Sequence, residues 1–259
     1  MFCASKPLAE ADTASRPEVQ PITPWAPQTL PRVAMMQTWR RLTFLHWRYD
    51  ADVVRRMIPA GLALDTFDGA AWVGLIPFEI HNLIGIPHFP ETNVRTYVIG
   101  PDGSRAVWFF SLDAARLLAV IGARAGYRLP YFWASMRVTS EGGRVRYRSR
   151  RHWPHNQHVT SDILVQPGAL YQPDEIGELD HFFTARYRLY TRMGGQLGYA
   201  QIDHPAWPLA RASLLELKQS LIEAAGFPPP TGTPLVHYAE ELTVKIGAPR
   251  ETGTSADLH

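Results

Sequence analysis

A chain of 259 residues with 46% hydrophobic and 11% aromatic content is long enough for one large globular domain with a sizeable core. The net charge of +2 is too small to indicate a nucleic-acid partner, and no apolar run approaches the roughly 20 residues of a membrane-spanning helix. Cys3 is the single cysteine, which excludes an intramolecular disulfide and favours the reducing cytoplasm.

The two ends of the chain differ in composition from its middle. Residues 1–31 are rich in Pro, Ala and Thr and lack the order of a signal peptide, so we predict a disordered tail there. Residues 32–250 are predicted to form a single domain, and 251–259 a flexible C-terminal tail.

The first predicted elements are a strand over 42–49 and a short helix over 51–57, which Asp50 caps and Pro59 ends. A hairpin of 62–67 and 71–80 is predicted across Asp68-Gly69, a favoured turn dipeptide. Glu79 faces either the core or solvent, and solvent is the favoured interpretation. The Gly- and Pro-containing segment 81–90 is either a flap at a cavity mouth or a plain connection.

Residues 89–116 carry the densest set of polar side chains. In an extended segment 91–99, alternation places β-branched residues on one face and polar residues on the other, the polar set being Glu91, Asn93, Arg95 and Tyr97. The turn sequence GPDGS at 100–104 then predicts an antiparallel return over 105–113.

The register of this central hairpin decides which side chains meet. With position 99 opposite position 105, Asn93 faces Ser111 and Glu91 faces Asp113, and both pairs lie on one polar face. A one-residue slip would turn apolar side chains to that face and is disfavoured for that reason. A solvent-facing hairpin is the alternative, which the aromatic run 108–110 makes less favourable.

Asp113 has a second interpretation that does not exclude the first. An amphipathic helix is predicted over 114–125, and Asp113 immediately precedes it, as an N-cap would.

Further along, 131–139 and 143–150 are predicted to form a hairpin with a stripe of arginines on one face, Arg144, Arg146, Arg148 and Arg150. A solvated sheet face is the favoured interpretation, with an anion-attracting mouth and nucleic acid as alternatives. His152, His155 and His158 recur at spacing three, but Pro154 interrupts them and no carboxylate follows, so no metal site is predicted.

The remainder reads as a strand over 162–168, a short helix over 174–179, strands over 182–191, 196–203 and after 207, a helix over 214–225 and a last strand over 235–246. Repeated hairpins with few helices predict a mainly β (α+β) fold, a long antiparallel sheet curled around a central space.

Several motifs resemble those of one protein family. FPETNVRTYV at 89–98, WFFSLDA at 108–114, HWRY at 46–49, PAGLALDTFDG at 59–69, FTARYRLY at 183–190 and DHPAWP at 203–208 are similar to segments of the YqjF-like (DUF2071) family. That family resembles acetoacetate decarboxylase in fold, so the resemblance implies a β-cone or double barrel with an internal cavity.

The resemblance to acetoacetate decarboxylases fails at their reactive lysines. Those enzymes form a Schiff base on the first lysine of a pair, and the aligned positions here are Leu112 and Asp113. Their active-site glutamate aligns with Glu91. The resemblance therefore implies one retained acid without its amine partner, and we predict that no Schiff base forms.

Two classes of function follow. The first is an enzyme, such as a lyase, acting on an oxo-acid or other carbonyl compound, with Glu91 and Asp113 as the catalytic acid pair. Its substrate-binding residues are predicted to be Asn93, Arg95, Tyr97, Ser111 and Arg186. The second is a non-catalytic small-molecule binding or accessory protein. No cofactor, metal, nucleic acid or membrane is expected, and a homo-oligomer is left open.

Overall fold

The computed structural model describes residues 17–154 and 158–252, except for the side chain of residue 118. Its strands are β1 (Met35–Tyr49), β2 (Ala63–Leu64), β3 (Ala71–His81), β4 (Phe89–Ile99), β5 (Arg105–Ala114), β6 (Tyr131–Glu141), β7 (Arg144–Trp153), β8 (Thr160–Leu170), β9 (Arg188–Met193), β10 (Gln196–Asp203), β11 (Ala210–Gln219), β12 (Leu235–Ile246) and β13 (Arg250–Glu251). The helices are α1 (Ala51–Arg55), α2 (Leu117–Gly126), α3 (Glu178–Thr184) and α4 (Leu221–Ala224), with a 3-10 turn at Pro173–Glu175.

All of these strands belong to one sheet that closes on itself twice. Strands β12, β1, β3, β4 and β5 are shared, and β6, β7, β8 and β11 complete one ring while β9 and β10 complete the other. The pairings are antiparallel except where β5 meets β6 and β9. The predicted curled antiparallel sheet of a double barrel is confirmed.

Among the shared strands, β3 and β4 are buried on both faces, and neither has an exposed position. Along β1, Phe44 belongs to one apolar core and its neighbour Leu45 to the other. On β4, Val94 packs in the second core, whereas the residues on either side of it point into the first lobe. Because side chains alternate along a strand, one shared strand contributes side chains to the interiors of both barrels. The polar face of β4 consequently faces the inside of a lobe and not solvent.

Local signals predicted several elements well. Strand β12 has the predicted ends, and Asp50 caps α1 by accepting the backbone N–H of Asp52 at 2.7 Å. The β6–β7 hairpin turns at Gly142 and Gly143, both with positive φ, as a tight hairpin turn requires.

Four predictions of local structure were wrong. Residues 182–184 belong to helix α3 and not to a strand, and the helix predicted over 174–179 is the 3-10 turn followed by the start of α3. Strand β2 pairs with β4, although Asp68-Gly69 does form a turn with positive φ. Glu79 is 7% exposed and pairs with Arg41 Nε at 3.2 Å, because the shared wall is buried on both sides.

The helix predicted over 214–225 is present only in its last part, as α4, whereas residues 214–219 belong to strand β11. Leu214 and Leu217 have the three-residue spacing of a helix face, yet both lie in β11 and pack on the same core. A bulge between Leu214 and Glu216 inserts one extra residue into the pairing with β8. Leu214 and Leu217 therefore point to the same side of the sheet although they are three residues apart, and not two.

Part of the N-terminal segment lies against the domain. Gln20 donates its backbone N–H to the carbonyl of Gly103 at 3.0 Å, and its own carbonyl accepts from Arg105 Nε at 2.8 Å. The hydroxyl of Tyr187 donates to the carbonyl of Pro24 at 2.6 Å. Cys3, the first half of the predicted tail, residues 253–259 and His155 lie outside the described residues. Within the described ranges, no helix combines the length and apolar character needed to cross a membrane.

Candidate functional site

The polar face of β4 forms one wall of a cavity of about 240 Å³. Glu91, Asn93 and Arg95 line it, at 3%, 4% and 7% exposure. The opposite walls are almost entirely apolar and come from β1, β3, β5, α2 and the loop between β3 and β4, including Trp39, Phe78, Leu83, Ile84, Phe109, Leu112 and Ala123. Glu91, Asn93 and Arg95 therefore form a narrow polar strip in an otherwise apolar cavity.

Glu91 is held by Tyr131, whose hydroxyl donates to the Glu91 carboxyl at 2.9 Å. Burial raises the pKa of Glu91 to about 8, the hydrogen bond from Tyr131 opposes this rise, and the nearby charge of Asp113 adds to it. Glu91 is therefore protonated at neutral pH and can donate a hydrogen bond or a proton into the cavity. Tyr131 was not predicted as a site residue, because nothing in the local sequence marks a partner 40 positions away in the chain.

Arg95 is a buried cation without a carboxylate partner in the described parts of the chain. Its Nη2 donates to the carbonyl of Phe183 at 3.2 Å and to the Tyr97 hydroxyl at 3.4 Å, and its Nε has no hydrogen-bond partner there. The side-chain oxygen of Asn93 is likewise buried without a partner. Buried polar groups are normally paired, so these atoms point to a ligand that the cavity receives.

Tyr97 lies behind Arg95 and is not in contact with the cavity. Its hydroxyl is 2.6 Å from Nε2 of His46, a fully buried ring stacked on Phe183 at 3.9 Å. Burial, and next the charge of Arg95, lower the pKa of His46 well below its ordinary value. A neutral His46 can accept a hydrogen bond from the Tyr97 hydroxyl, which leaves the Tyr97 oxygen free to accept one from Arg95.

Arg186 also lies behind the cavity wall and not on it. Its guanidinium carbon is 4.6 Å from the centre of the Tyr97 ring, and its Nη1 donates to Oδ2 of Asp65 at 2.6 Å. Asp65 also accepts from Arg105 Nη1 at 2.6 Å. The predicted substrate-binding role of Arg186 has no support in this geometry, because its charge is already paired.

Ser111 and Asp113 lie on the other face of the sheet. The predicted register holds from the turn to Arg95, which pairs with Phe109, but Phe110 then forms a bulge. Beyond it, Asp113 pairs with Thr92 and Leu112 with Asn93, so the prediction that Glu91 and Asp113 share a cavity wall was wrong. The bulge places Phe110 against Phe227, at 4.8 Å between rings, and keeps Phe109 in the cavity.

Asp113 instead forms a buried ion pair with Arg151, at 2.7 Å from Nη2 to Oδ1. Burial raises the pKa of Asp113 to about 6, and Arg151 opposes that rise. The prediction that Asp113 caps the following helix was wrong as well, because it lies inside β5 and Arg116 occupies the N-cap position.

Neither lysine of the described residues is near the cavity. Lys218 is exposed on β11, and Lys245 lies 3.4 Å from Asp203 at the surface. The described part of the chain also contains no group of three His, Cys, Asp or Glu side chains placed to hold a metal ion. His152 contacts Ser135 at 2.6 Å.

Replacing Tyr131 by Phe is expected to raise the pKa of Glu91 further, by about one unit, because a charge-assisted hydrogen bond to the carboxylate is lost. An NMR titration with labelled glutamate measures it. Tyr127→Phe is the matched control, since Tyr127 lines the same cavity but donates to the carbonyl of Gly247. An unchanged or lower pKa in Tyr131→Phe would contradict the assignment.

Comparisons with known proteins agree with this architecture. The acetoacetate decarboxylase of Legionella pneumophila has a TM-score of 0.57 and 15% identity, covering 87% of this chain and 91% of that one. The enduracididine biosynthesis enzyme MppR, solved with pyruvate, has a TM-score of 0.54 and 12% identity over 87% and 92% of the two chains. An acetoacetate decarboxylase-like enzyme from Sphingomonas wittichii RW1 has a TM-score of 0.55 and 11% identity over 91% and 99%. At these identities the likeness establishes the fold alone.

Sequence comparison is more specific. Residues 36–243 match the model of DUF2071, a family described as uncharacterized conserved proteins. The YqjF protein of Bacillus subtilis is 37% identical over 218 residues, which cover 81% of this chain and 89% of YqjF. With the fold, the cavity and these matches together, the chain belongs to the DUF2071, or YqjF-like, family.

Proposed function

We propose that the protein is a small-molecule enzyme that acts on an oxo-acid or related carbonyl compound by carboxylate acid chemistry, without a Schiff base. One observation carries the proposal. A glutamic acid that is protonated at neutral pH and an arginine that lacks a carboxylate partner lie on the same face of β4, at the wall of one cavity. An acid poised near the working pH and a free cation are what an oxo-acid substrate requires.

Each residue of the strip has a role in this proposal. Arg95 binds the substrate carboxylate, which supplies the anionic partner that the guanidinium lacks. Glu91 donates its proton to the oxo oxygen while the electron pair of a breaking bond at the adjacent carbon moves into the new enol double bond. Asn93 lies between them and orients the substrate through its amide, and Tyr131 holds the Glu91 carboxylate formed in this step.

The broken bond defines the reaction class. Loss of a proton from the carbon next to the oxo group to a water molecule gives enolisation, and loss of carbon dioxide from that carbon in a 3-oxo acid gives decarboxylation. Both reactions place a developing charge on the oxo oxygen, where Glu91 acts. The acetoacetate decarboxylase of similar fold and MppR with pyruvate support an oxo-acid as the substrate class. Asp113, which the sequence analysis paired with Glu91, has only an indirect role here, through its charge.

The second candidate is a binding or accessory protein that uses the same cavity without turnover. The absence of a cavity lysine from the described residues favours it, because the chemistry of the structurally similar decarboxylases depends on that amine.

For either candidate function, the proposal includes a cytoplasmic location and no nucleic-acid partner. In its support, Arg146 and Arg148 of the basic stripe are ion-paired with Asp162, at 2.6 and 3.0 Å.

The test is turnover of 2-oxo and 3-oxo acids of graded length, followed by NMR in heavy water for exchange next to the oxo group and by release of carbon dioxide. Glu91→Gln is expected to keep ligand affinity within about tenfold and lose at least about 100-fold in turnover, as for a general acid. Arg95→Met is expected to weaken binding by at least about 100-fold.

Arg148→Met, which removes an exposed arginine that does not line the cavity, is the control and should change neither quantity. Turnover that survives Glu91→Gln would contradict the enzymatic proposal. Saturable binding that depends on Arg95, with no exchange and no product for any acid in the series, would establish the binding protein instead.

A further inference from the structure

We propose that the cavity selects monocarboxylates with a long apolar tail, with the carboxylate at Arg95 and the tail running out toward the cavity mouth. This inference rests on the proposed function only in taking Arg95 as the carboxylate-binding group. It adds a substrate class, acids much longer than acetoacetate or pyruvate.

The direction of the ligand follows from the direction of β4. The loop that precedes β4 carries Ile84, which lines the cavity and is 95% exposed, so the mouth lies there. Phe89 begins the strand next to this loop, and Arg95, six residues further along and still buried, is the last residue of β4 that lines the cavity. Six residues of strand span about 20 Å. The one free cation among the described lining residues is therefore at the inner end of a long chamber.

The space beyond Arg95 suits an apolar chain. Apart from the polar strip and Tyr127, Tyr131 and Gln37, the lining is made of apolar side chains and Gly122. The volume of about 240 Å³ exceeds the roughly 150 Å³ of an apolar cavity that takes up benzene. A four-carbon acid bound at Arg95 would leave most of this wall without a partner.

Helix α2 keeps the chamber open. The residues that it turns to the cavity are small, Ala119, Gly122 and Ala123, whereas its larger Leu117 and Ile121 are exposed at 41% and 50%. Among the described side chains of α2, Val120 is the large apolar one that packs inward, in the first core, and it does not line the cavity. Gly122 is exposed at the edge of the cavity, and a Cβ added to it would meet no atom within 4 Å, so a larger side chain can be placed there without a clash.

The charge of the chamber selects the head group. Among the described lining residues only Glu91 and Arg95 are ionisable at ordinary pH, and Glu91 is neutral at pH 7. The site therefore carries one net positive charge beside unpaired polar atoms of Asn93 and Arg95. An anionic head is attracted, and an ammonium head of the same tail is repelled.

The first experiment is calorimetric titration at pH 7 with acetate, butanoate, hexanoate and octanoate, and with octylamine and 1-octanol as head-group controls. Affinity is expected to rise about fourfold for each buried methylene. Octylamine should not bind, and 1-octanol should bind at least about tenfold more weakly than octanoate. Equal affinity along the acid series, or octylamine binding as well as octanoate, would overturn the proposal.

The second experiment shortens the chamber. Gly122→Leu adds a side chain on the cavity face of α2 and is expected to weaken octanoate at least about tenfold while leaving butanoate unchanged. Gly126→Leu is the matched control, because Gly126 is in the same helix, has open space around it and does not line the cavity. Octanoate affinity unchanged in Gly122→Leu would contradict the proposed position of the tail.

The outcomes separate this inference from the proposed function. If binding depends on chain length and on Arg95 but no oxo-acid is turned over, the proposed ligand class is correct and the proposed enzymatic function is wrong. If short oxo-acids are turned over with a kcat/KM that does not increase with chain length, the proposed enzymatic function is correct and the proposed ligand class is wrong.

Discussion

Glu91→Gln is expected to be more stable than the wild-type protein at pH 9, by about 3 to 5 kcal/mol, and to match it within about 1 kcal/mol at pH 5. Burial raises the pKa of Glu91 from 4.5 to about 8, and each unit corresponds to about 1.36 kcal/mol. Between these two values the folded protein holds a proton that the unfolded chain has released. The contribution of Glu91 to stability therefore falls as pH rises from about 4.5 to about 8, and is fully unfavourable above that. Glutamine keeps the shape and the acceptor for Tyr131 and has no charge to bury.

Urea unfolding at pH 5, 7 and 9 measures this difference. Glu79→Gln is the control, because Glu79 is another buried glutamate of the shared wall but pairs with Arg41 at 3.2 Å, so loss of its charge should give no gain at pH 9. A Glu91→Gln variant that is no more stable than wild type at pH 9 would show that Glu91 is not held protonated. If the gain is found together with lost turnover, the protein retains for function a buried acid that lowers its stability at high pH.

Asp65→Asn is expected to destabilise the protein by about 3 to 5 kcal/mol. The Asp65 carboxylate is 2% exposed and accepts from two arginines, Arg105 and Arg186, at 2.6 Å each. Arg186 is itself 4% exposed, and burial lowers its pKa while Asp65 opposes this, so a neutral amide would leave a buried cation without its counter-charge. The free energy of unfolding from urea titration at pH 7 is the measurement.

Asp52→Asn is the exposed counterpart, since Asp52 pairs with Arg55 on the surface of α1, and its loss should cost less than about 1 kcal/mol. Replacing both partners in Asp65→Asn/Arg186→Met should restore part of the stability, because the stranded charge is removed with the carboxylate. Equal stability of Asp65→Asn and wild type would mean that Arg186 finds its compensation elsewhere, and would reopen its predicted role at the substrate.

The local elements followed from local physics. Alternation along 91–99 placed Glu91, Asn93 and Arg95 on one face, because the side chains of any extended segment alternate, and the structure has the same face. Turn residues located the β4–β5 and β6–β7 hairpins because only certain residues tolerate the backbone angles of tight turns. The relationship to the YqjF-like family was also readable from motifs that are contiguous in the chain.

The site itself depended on contacts that no local pattern contains. The bulge at Phe110 moved Asp113 away from Glu91, because packing of Phe110 on Phe227 outweighed strict alternation. Tyr131 comes to Glu91 through the parallel pairing of β6 with β5, a connection between distant segments.

Pattern and tertiary structure thus decided different properties of this protein. The period of the strands and the chemistry of the turns determined which side chains share a face, since both act within a few residues. Closure of the sheet into two rings decided what each face meets: solvent, core or cavity. It buried Glu91 beside Tyr131, paired Arg186 with Asp65, and left Arg95 without a carboxylate, because burial and pairing are properties of segments brought together from across the whole chain.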